Sequence, residues 1–160
     1  MRNQHPALSW FTRPSLDLKQ YSGMVISSKN CVEWLQDIIK HDTSTASGIT
    51  SDTKIVLCET CDIQAEFRWF IVDRKVVSGS MYRHNGQLVS IRADEPDVVN
   101  EAQKFADGWL PHDNCVMDLA LVGGNMKVIE FNCINASGFY NHDTTTIFKK
   151  LYEYYEGRNG

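Results

Sequence analysis

Tight-turn signals between alternating segments in the middle of the chain are the feature that most constrains its fold. Residues 65–72 (AEFRWFIV) alternate in character and pass through the pair at 73–74 into residues 75–83, and the Asn-Gly pair at 85–86 leads into residues 87–92. Alternation with period two is typical of β-strands, and short turns between such segments are typical of β-hairpins. The pattern therefore predicts neighbouring antiparallel strands.

Apolar residues recur at helical spacing in residues 29–40, 96–108 and 144–156, which predicts amphipathic helices there. The apolar residues at helical spacing in the first segment are Val32, Leu35, Ile38 and Ile39. Those on one side of the second are Val98, Val99, Ala102, Phe105 and Ala106, and those of the third that are expected to face inward are Ile147, Phe148, Leu151 and Tyr155. The polar, turn-rich residues 41–53 predict a loop, and a short apolar strand follows at 54–58. Together the elements predict an α+β fold, an antiparallel sheet with helices on one face.

Length and composition are those of an ordinary globular protein. The 160 residues fit one domain, and 42% of them are apolar and 22% charged. The formal net charge is −4, and no run of Lys or Arg suggests a nucleic-acid partner. No segment approaches the about 20 apolar residues of a membrane span, and the N-terminus lacks the apolar core of a signal peptide. We therefore expect a cytoplasmic protein without a membrane partner.

The cysteines form no disulfide framework that the sequence reveals. There are five, an odd number, and we expect them to be thiols in a reducing cytosol. Cys58 and Cys61 form a CETC pair, which fits a redox pair or half of a zinc site. Because a zinc site needs further ligands and the chain has no second CxxC, we favour two ordinary, partly buried thiols.

A second hairpin is predicted from residues 115–122 and 126–131, which flank a loop at 123–125. With this three-residue loop centred on Gly124, the opposite pairs are Val122 with Met126, Ala120 with Val128 and Asp118 with Glu130. Directly opposite residues share a face, with Cβ atoms about 5 Å apart. A shift of one residue in the register would separate the two carboxylates.

The end of this hairpin is a candidate metal site. Asp118 and Glu130 share a face, and strand alternation adds Asn132 if the strand extends that far. Two close carboxylates repel each other unless a cation is bound, and this set of oxygens suits Mg²⁺ together with phosphate oxygens. The alternative is a solvated face without a metal. The apolar neighbours on the same face indicate that the face is covered, and covered carboxylates need partners.

Charged residues elsewhere give weaker signals. Glu66 and Arg68 alternate with aromatic residues and so share a face, and Arg83 closes the next strand. A Glu–Arg pair two positions apart is more often a surface or structural pair than part of a site. Arg13 and Lys19 suit phosphate binding, although their pattern also arises by chance.

In their order and spacing, several segments resemble an ATP-grasp domain of the clade named for two arginines and a lysine, which is frequent in bacteriophage. The similar segments are 11–14 (FTRP), 19–23 (KQYSG), 55–59 (IVLCE), 66–70 (EFRWF), 76–83 (VVSGSMYR), 117–120 (MDLA) and 129–138 (IEFNCINASG). The resemblance implies one ATP-grasp-like domain over residues 1–160, with a small lobe and loop at about 11–53 and a hinge and catalytic lobe at 54–156. The domain that precedes the ATP-binding lobe in typical members is expected to be missing.

The resemblance also implies residue roles. On the nucleotide side, Lys19 would bind ATP phosphates with Arg13 as a further candidate, Glu59 would mark the hinge that reads adenine, and Glu66 would hold the ribose hydroxyls. The remaining roles concern the reacting phosphate: Arg68 and Arg83 would face the phosphates or an acyl phosphate, Asn135 and Ser137 would lie on the nearest loop, and Asp118, Glu130 and Asn132 would hold Mg²⁺. Many ATP-grasp ligases carry an arginine two residues before the first metal aspartate, where this chain has Val116.

The activity implied by the resemblance is that of an ATP- and Mg²⁺-dependent ligase. Such an enzyme activates a carboxylate as an acyl phosphate and passes it to an amine or similar nucleophile, and a protein partner could complete the acceptor site. Phosphoryl transfer depends on positioning and charge neutralisation, which these residue types supply. The alternatives are a nucleotide-binding module with little or no catalysis that serves interaction or regulation, and a small structural protein with surface carboxylates. If the source is viral, the location would be the host cytoplasm.

Overall fold

The structure, a computed structural model, describes residues 9–16, 23–40 and 52–158, apart from the side chains of residues 38 and 39. It divides into two units at residues 61 and 62. The first unit contains an antiparallel sheet of order β2-β1-β3 and a helix; the elements are β1 (Ser9–Pro14), β2 (Met24–Ser27), α1 (Ser28–Lys40) and β3 (Ile55–Glu59). The predicted helix and short strand are confirmed, and β2 has no counterpart in the sequence pattern. Val32, one of the apolar residues at helical spacing in α1, is 61% exposed. Residues 41–51 of the predicted loop lie outside the described residues.

The second unit contains a five-stranded antiparallel sheet of order β6-β5-β4-β7-β8. Its elements are β4 (Ile63–Val72), β5 (Lys75–His84), β6 (Gln87–Arg92), α2 (Pro96–Gly108), β7 (Cys115–Val122), β8 (Asn125–Asn132), a 3-10 turn (Ile134–Ala136) and α3 (Thr144–Glu156). Positive φ angles at 73–74 and 85–86 give the mirror-image turns whose twist suits a two-residue hairpin. The α+β class and the antiparallel sheet are confirmed.

The helices of the second unit lie on opposite faces of the sheet, not on one face as expected. On one face, Trp69, Met117 and Leu119 are fully buried in a cluster that includes Ala102 and Ala106 of α2. On the other face, Phe70 and Val116 pack against Ile147 of α3. Neighbouring strand residues point to opposite faces, so the continuous apolar run at the end of β4 needs a cover on each side.

The inward face of α3 is only partly covered. Ile147 is fully buried and Leu151 is half-buried, but Phe148 and Tyr155 are 56% and 55% exposed. The prediction that these two aromatic side chains face inward is therefore wrong.

The cysteines are all thiols, as expected, but Cys58 and Cys61 are exposed, not partly buried. Among the described residues, no three His, Cys, Asp or Glu side chains group in a way that would hold a metal ion by themselves. Within the same residues, no helix combines the length and the apolar character that crossing a membrane requires.

Candidate functional site

The turn between β7 and β8 is shorter than the sequence pattern predicts. Gly123 and Gly124 have φ angles of 56° and 78°, a two-residue mirror-image turn that favours glycine. Val122 therefore faces Asn125 and not Met126. Met126 accordingly packs against the core on the α2 side of the sheet.

A β-bulge after this turn restores the predicted pairing of the two carboxylates. Leu119 pairs with Val128, but Asp118 pairs with Glu130, so Ile129 is the extra residue in β8. The expected opposition of Asp118 and Glu130 is confirmed, whereas the expected partner of Val128, Ala120, instead faces Lys127. The bulge thus moves the apolar part of β8 off the face that carries the carboxylates.

β8 extends to Asn132, as the candidate metal site requires. Asn132 lies opposite Val116, and its side-chain amide donates a hydrogen bond to Oε1 of Glu130 at 3.0 Å. Glu130 is exposed and Asn132 is half-buried. Two of the three predicted metal ligands are therefore adjacent and open to a ligand.

Asp118 is held by Arg68, which lies directly across the β4–β7 pair. Nε and one terminal nitrogen of the guanidinium donate to the two carboxylate oxygens at 3.0 and 2.8 Å. Asp118 is only 1% exposed and the Arg68 side chain 12% exposed. Such a bidentate pair fixes both groups in one geometry. Asp118 is not on a solvated surface, which removes the alternative of surface carboxylates for this residue.

Burial and the charge of the partner have opposite effects on the pKa of each member of this pair. Burial raises the pKa of Asp118, and the hydrogen bonds from Arg68 oppose that rise. The hydrogen bond to Asp118 raises the pKa of Arg68 above its ordinary value. The bidentate contact thus offsets part of the cost of removing each partner from water.

Glu66 forms a second charged pair on the same face. Its Oε1 lies 3.0 Å from Nε of Arg83, and its Oε2 accepts a hydrogen bond from the Tyr82 hydroxyl at 2.7 Å. Burial, followed by that hydrogen bond, raises the pKa of Tyr82. A bulge in β5 lets consecutive residues reach one carboxylate, because Glu66 pairs with Arg83 while Phe67 pairs with Met81.

Two tyrosines that the sequence pattern misses enclose Arg68. The Tyr82 and Tyr140 rings stack at 5.2 Å, and the guanidinium carbon of Arg68 lies 5.5 and 5.4 Å from their centres. Tyr140 has a φ of 40°, which is uncommon for a residue other than glycine. Strand alternation could not identify Tyr82, because only the bulge turns it toward Glu66.

The loop after β8 lies over the same face. Its carbonyl at Gly138 accepts a hydrogen bond from Arg68 at 3.4 Å, and the Ser137 hydroxyl donates to the Cys133 carbonyl at 2.9 Å. Asn135 is exposed on the 3-10 turn.

The structure thus brings Glu66, Arg68, Arg83, Asp118, Glu130, Asn132 and this loop together in the second unit. Arg13 and Glu59 are exposed on strands of the first unit, and Lys19 lies outside the described residues.

The donor set fits a hard cation only with help from a ligand. A carboxylate has about four acceptor positions, and Arg68 uses two of those on Asp118. Glu130 and Asn132 supply further oxygens, but Mg²⁺ prefers about six. The remaining oxygens have to come from water or from bound phosphates.

A family model described as ATP-grasp domain, R2K clade family 2, matches residues 2–150. The chain belongs to this ATP-grasp family. No curated protein matches the chain. Among solved structures, that of the ATP-grasp ligase PsnB with a minimal precursor is similar, with 15% identity and a TM-score of 0.49. The match covers 78% of this ATP-grasp chain and 39% of that chain, so it spans well under half of that ligase.

Proposed function

We propose that the chain is an ATP- and Mg²⁺-dependent ligase, which activates a carboxylate as an acyl phosphate for attack by an amine or similar nucleophile. The observation that supports this most directly is the row Arg68, Asp118 and Glu130 on three neighbouring strands, with Asn132 beside it. A fixed cation and oxygen ligands on one rigid sheet face suit phosphoryl transfer, which needs positioning and charge neutralisation.

In this proposal Glu130 and Asn132 hold Mg²⁺ directly, and Asp118 contributes the acceptor positions that Arg68 leaves open. The ion would neutralise charge on the phosphates of ATP. Arg68 faces the reacting phosphate, and its pairing with Asp118 fixes its position before the nucleotide arrives. Val116 is fully buried against Ile147 and lies opposite Asn132. In this proposal Arg68 takes the role of the arginine that many ATP-grasp ligases carry at that position.

The other roles follow the family pattern. Arg83 and the loop residues Asn135 and Ser137 would contact the transferred phosphate or the acyl phosphate, and Glu66 would bind the ribose hydroxyls. Arg13 and Lys19 would bind ATP phosphates, and Glu59 would mark the adenine-binding hinge. Glu66 would have to release Arg83 or Tyr82 partly in order to accept the ribose hydroxyls.

Thermal unfolding with and without Mg-ATP tests nucleotide binding. Mg-ATP at 100 times its Kd stabilises a folded protein by about 2.7 kcal/mol, so millimolar Mg-ATP should raise Tm by several degrees. Glu130→Gln should weaken Mg-ATP binding about tenfold with an unchanged Tm in the absence of nucleotide, because Glu130 is exposed. Glu156→Gln makes the same chemical change at an exposed position on α3 and should bind normally. An unchanged affinity in Glu130→Gln would refute the metal assignment.

ADP release separates a ligase from a binding module. We expect release that depends on an added carboxylate and amine in the wild-type chain. Binding of Mg-ATP without such release over a panel of amino acids and peptides would favour the nucleotide-binding module instead.

A further inference from the structure

A cavity of about 660 Å³ opens in the second unit between the end of β8, the loop that follows it and α3. Its volume lies within the range of small-ligand sites, about 300–1,000 Å³. Neither Arg68 nor Glu66 lines it.

The lining of the cavity is mainly aromatic and aliphatic. Phe131 and Phe139 form one wall, and Phe148, Leu151 and Tyr155 of α3 form another. Among the described residues that line it, none is Asp, Glu, Lys or Arg. The two α3 aromatics, which are more than half exposed, are therefore part of an apolar concave surface that suits an uncharged ligand group.

The cavity adjoins the candidate metal site. Asn132 and Asn135 line it, and Asn132 is hydrogen-bonded to Glu130 at 3.0 Å. A molecule with a reacting carboxylate or amine beside Asn132 would therefore have room for an apolar substituent in the cavity. The asparagine amides offer neutral donors and acceptors to the polar atoms next to that substituent.

We propose that the cavity binds an aromatic or branched aliphatic side chain of an amino-acid or peptide substrate, and this rests on the proposed ligase function. No Asp, Glu, Lys or Arg in the lining would pair with a charged side chain, so the cavity favours apolar side chains over acidic and basic ones. The site would therefore select substrates by an apolar side chain next to the reacting group.

Alkylation of Cys133 tests occupancy of the cavity. Cys133 is exposed and lines the cavity, whereas Cys58 and Cys61 are exposed in the first unit and serve as internal controls. Cys115 also lines the cavity, but burial raises its pKa to about 11, so it should react slowly. N-acetyl-phenylalanine amide at millimolar concentration should slow alkylation of Cys133 by N-phenylmaleimide at least fivefold, as measured by peptide mass spectrometry without nucleotide.

The two control thiols should react at unchanged rates, and N-acetyl-aspartate amide should give no protection. Equal rates at Cys133 with and without the phenylalanine probe would overturn the proposal, as would equal protection by the aspartate probe. A Cys133 rate that falls with protein concentration in the absence of probe would assign the cavity to contact with a second copy instead.

Variants on α3 provide a matched pair. Phe148→Asp places a charge in the lining and should abolish protection, whereas Tyr152→Asp changes a residue that is 66% exposed and does not line the cavity, and should retain it. Tyr155→Asp is a second lining variant if Phe148→Asp is unfolded by circular dichroism. Protection that survives in a folded lining variant would contradict the proposal.

Nucleotide binding is measured separately, so a failure of one proposal can be distinguished from a failure of the other. Protection of Cys133 without any Mg-ATP binding refutes the ligase. Mg-ATP binding without protection refutes only the apolar subsite.

Discussion

The two faces of the five-stranded sheet use the same strands for different purposes. The α2 face is a continuous apolar cluster that contains Trp69, Met117 and Leu119. The opposite face is divided: Phe70 and Val116 lie under α3, while Arg68 and Asp118, on the same strands, form an ion pair beside open oxygen ligands. The comparison teaches that apolar packing anchors β4 and β7 from one side, so that the other side can hold buried charge in a fixed geometry.

Removal of one partner of the buried ion pair should cause the largest decrease in the free energy of unfolding. Arg68→Ala leaves the carboxylate of Asp118 unpaired at 1% exposure and should lower the free energy of unfolding by about 4 kcal/mol in urea denaturation. Arg83→Ala is the control, because the Arg83–Glu66 pair is more exposed, at 39% and 18%, and should cost about 0.5–1 kcal/mol. Equal losses in the two variants would show that burial does not distinguish the pairs.

A void created by mutation in the α2 face should lower the free energy of unfolding by nearly as much, without affecting the candidate metal site. Leu119→Ala removes a fully buried side chain and should lower the free energy of unfolding by about 3 kcal/mol. Its cross-strand partner Val128 is 43% exposed, so Val128→Ala should cost less than about 1 kcal/mol. The Mg-ATP affinity of folded Leu119→Ala should match the wild type, and a large loss would contradict the separation of the two faces.

On the α3 side, His142 should make a smaller contribution to the free energy of unfolding, and this contribution should depend on pH. Its Nδ1 lies 3.0 Å from the Ser78 hydroxyl, its ring contacts Phe70 edge-on at 4.7 Å, and it is 8% exposed. Burial, aided by the positive charges of Arg68 and Arg92, lowers its pKa to about 4. The folded state therefore binds fewer protons than the unfolded state between pH 4 and about 6.5, and stability falls as the pH falls through this window.

The expected loss from this histidine is about 2 kcal/mol between pH 7 and pH 5. Urea denaturation of His142→Gln at the two pH values should show a correspondingly smaller difference than the wild type. The same substitution at the exposed His84 should leave the wild-type pH dependence intact. If His142→Gln and wild type lose the same stability, His142 is not the titrating group.

Local pattern determined most elements of the second unit. The helices at 96–108 and 144–156 have the predicted bounds, since their apolar spacing and turn residues are properties of nearby sequence. The turns at 73–74 and 85–86 were equally legible, because each lies between alternating segments and begins with Asp or Asn. The opposition of Asp118 and Glu130 was predicted from a loop one residue too long, and it holds because the bulge at Ile129 adds that residue back.

Only the tertiary structure decided where the charges meet. Bulges at Ile129 and in β5 set the final registers, and a bulge depends on pairing with a distant strand that no local pattern records. In the same way, Arg68 meets Asp118 because β4 lies beside β7. The side of the sheet on which each helix packs depends on which apolar surface of the sheet remains uncovered. The sequence by itself determined the helices, most of the strands and the chemistry they carry. The long-range pairing of the strands determined which groups are partners, because it brings together residues about 50 positions apart.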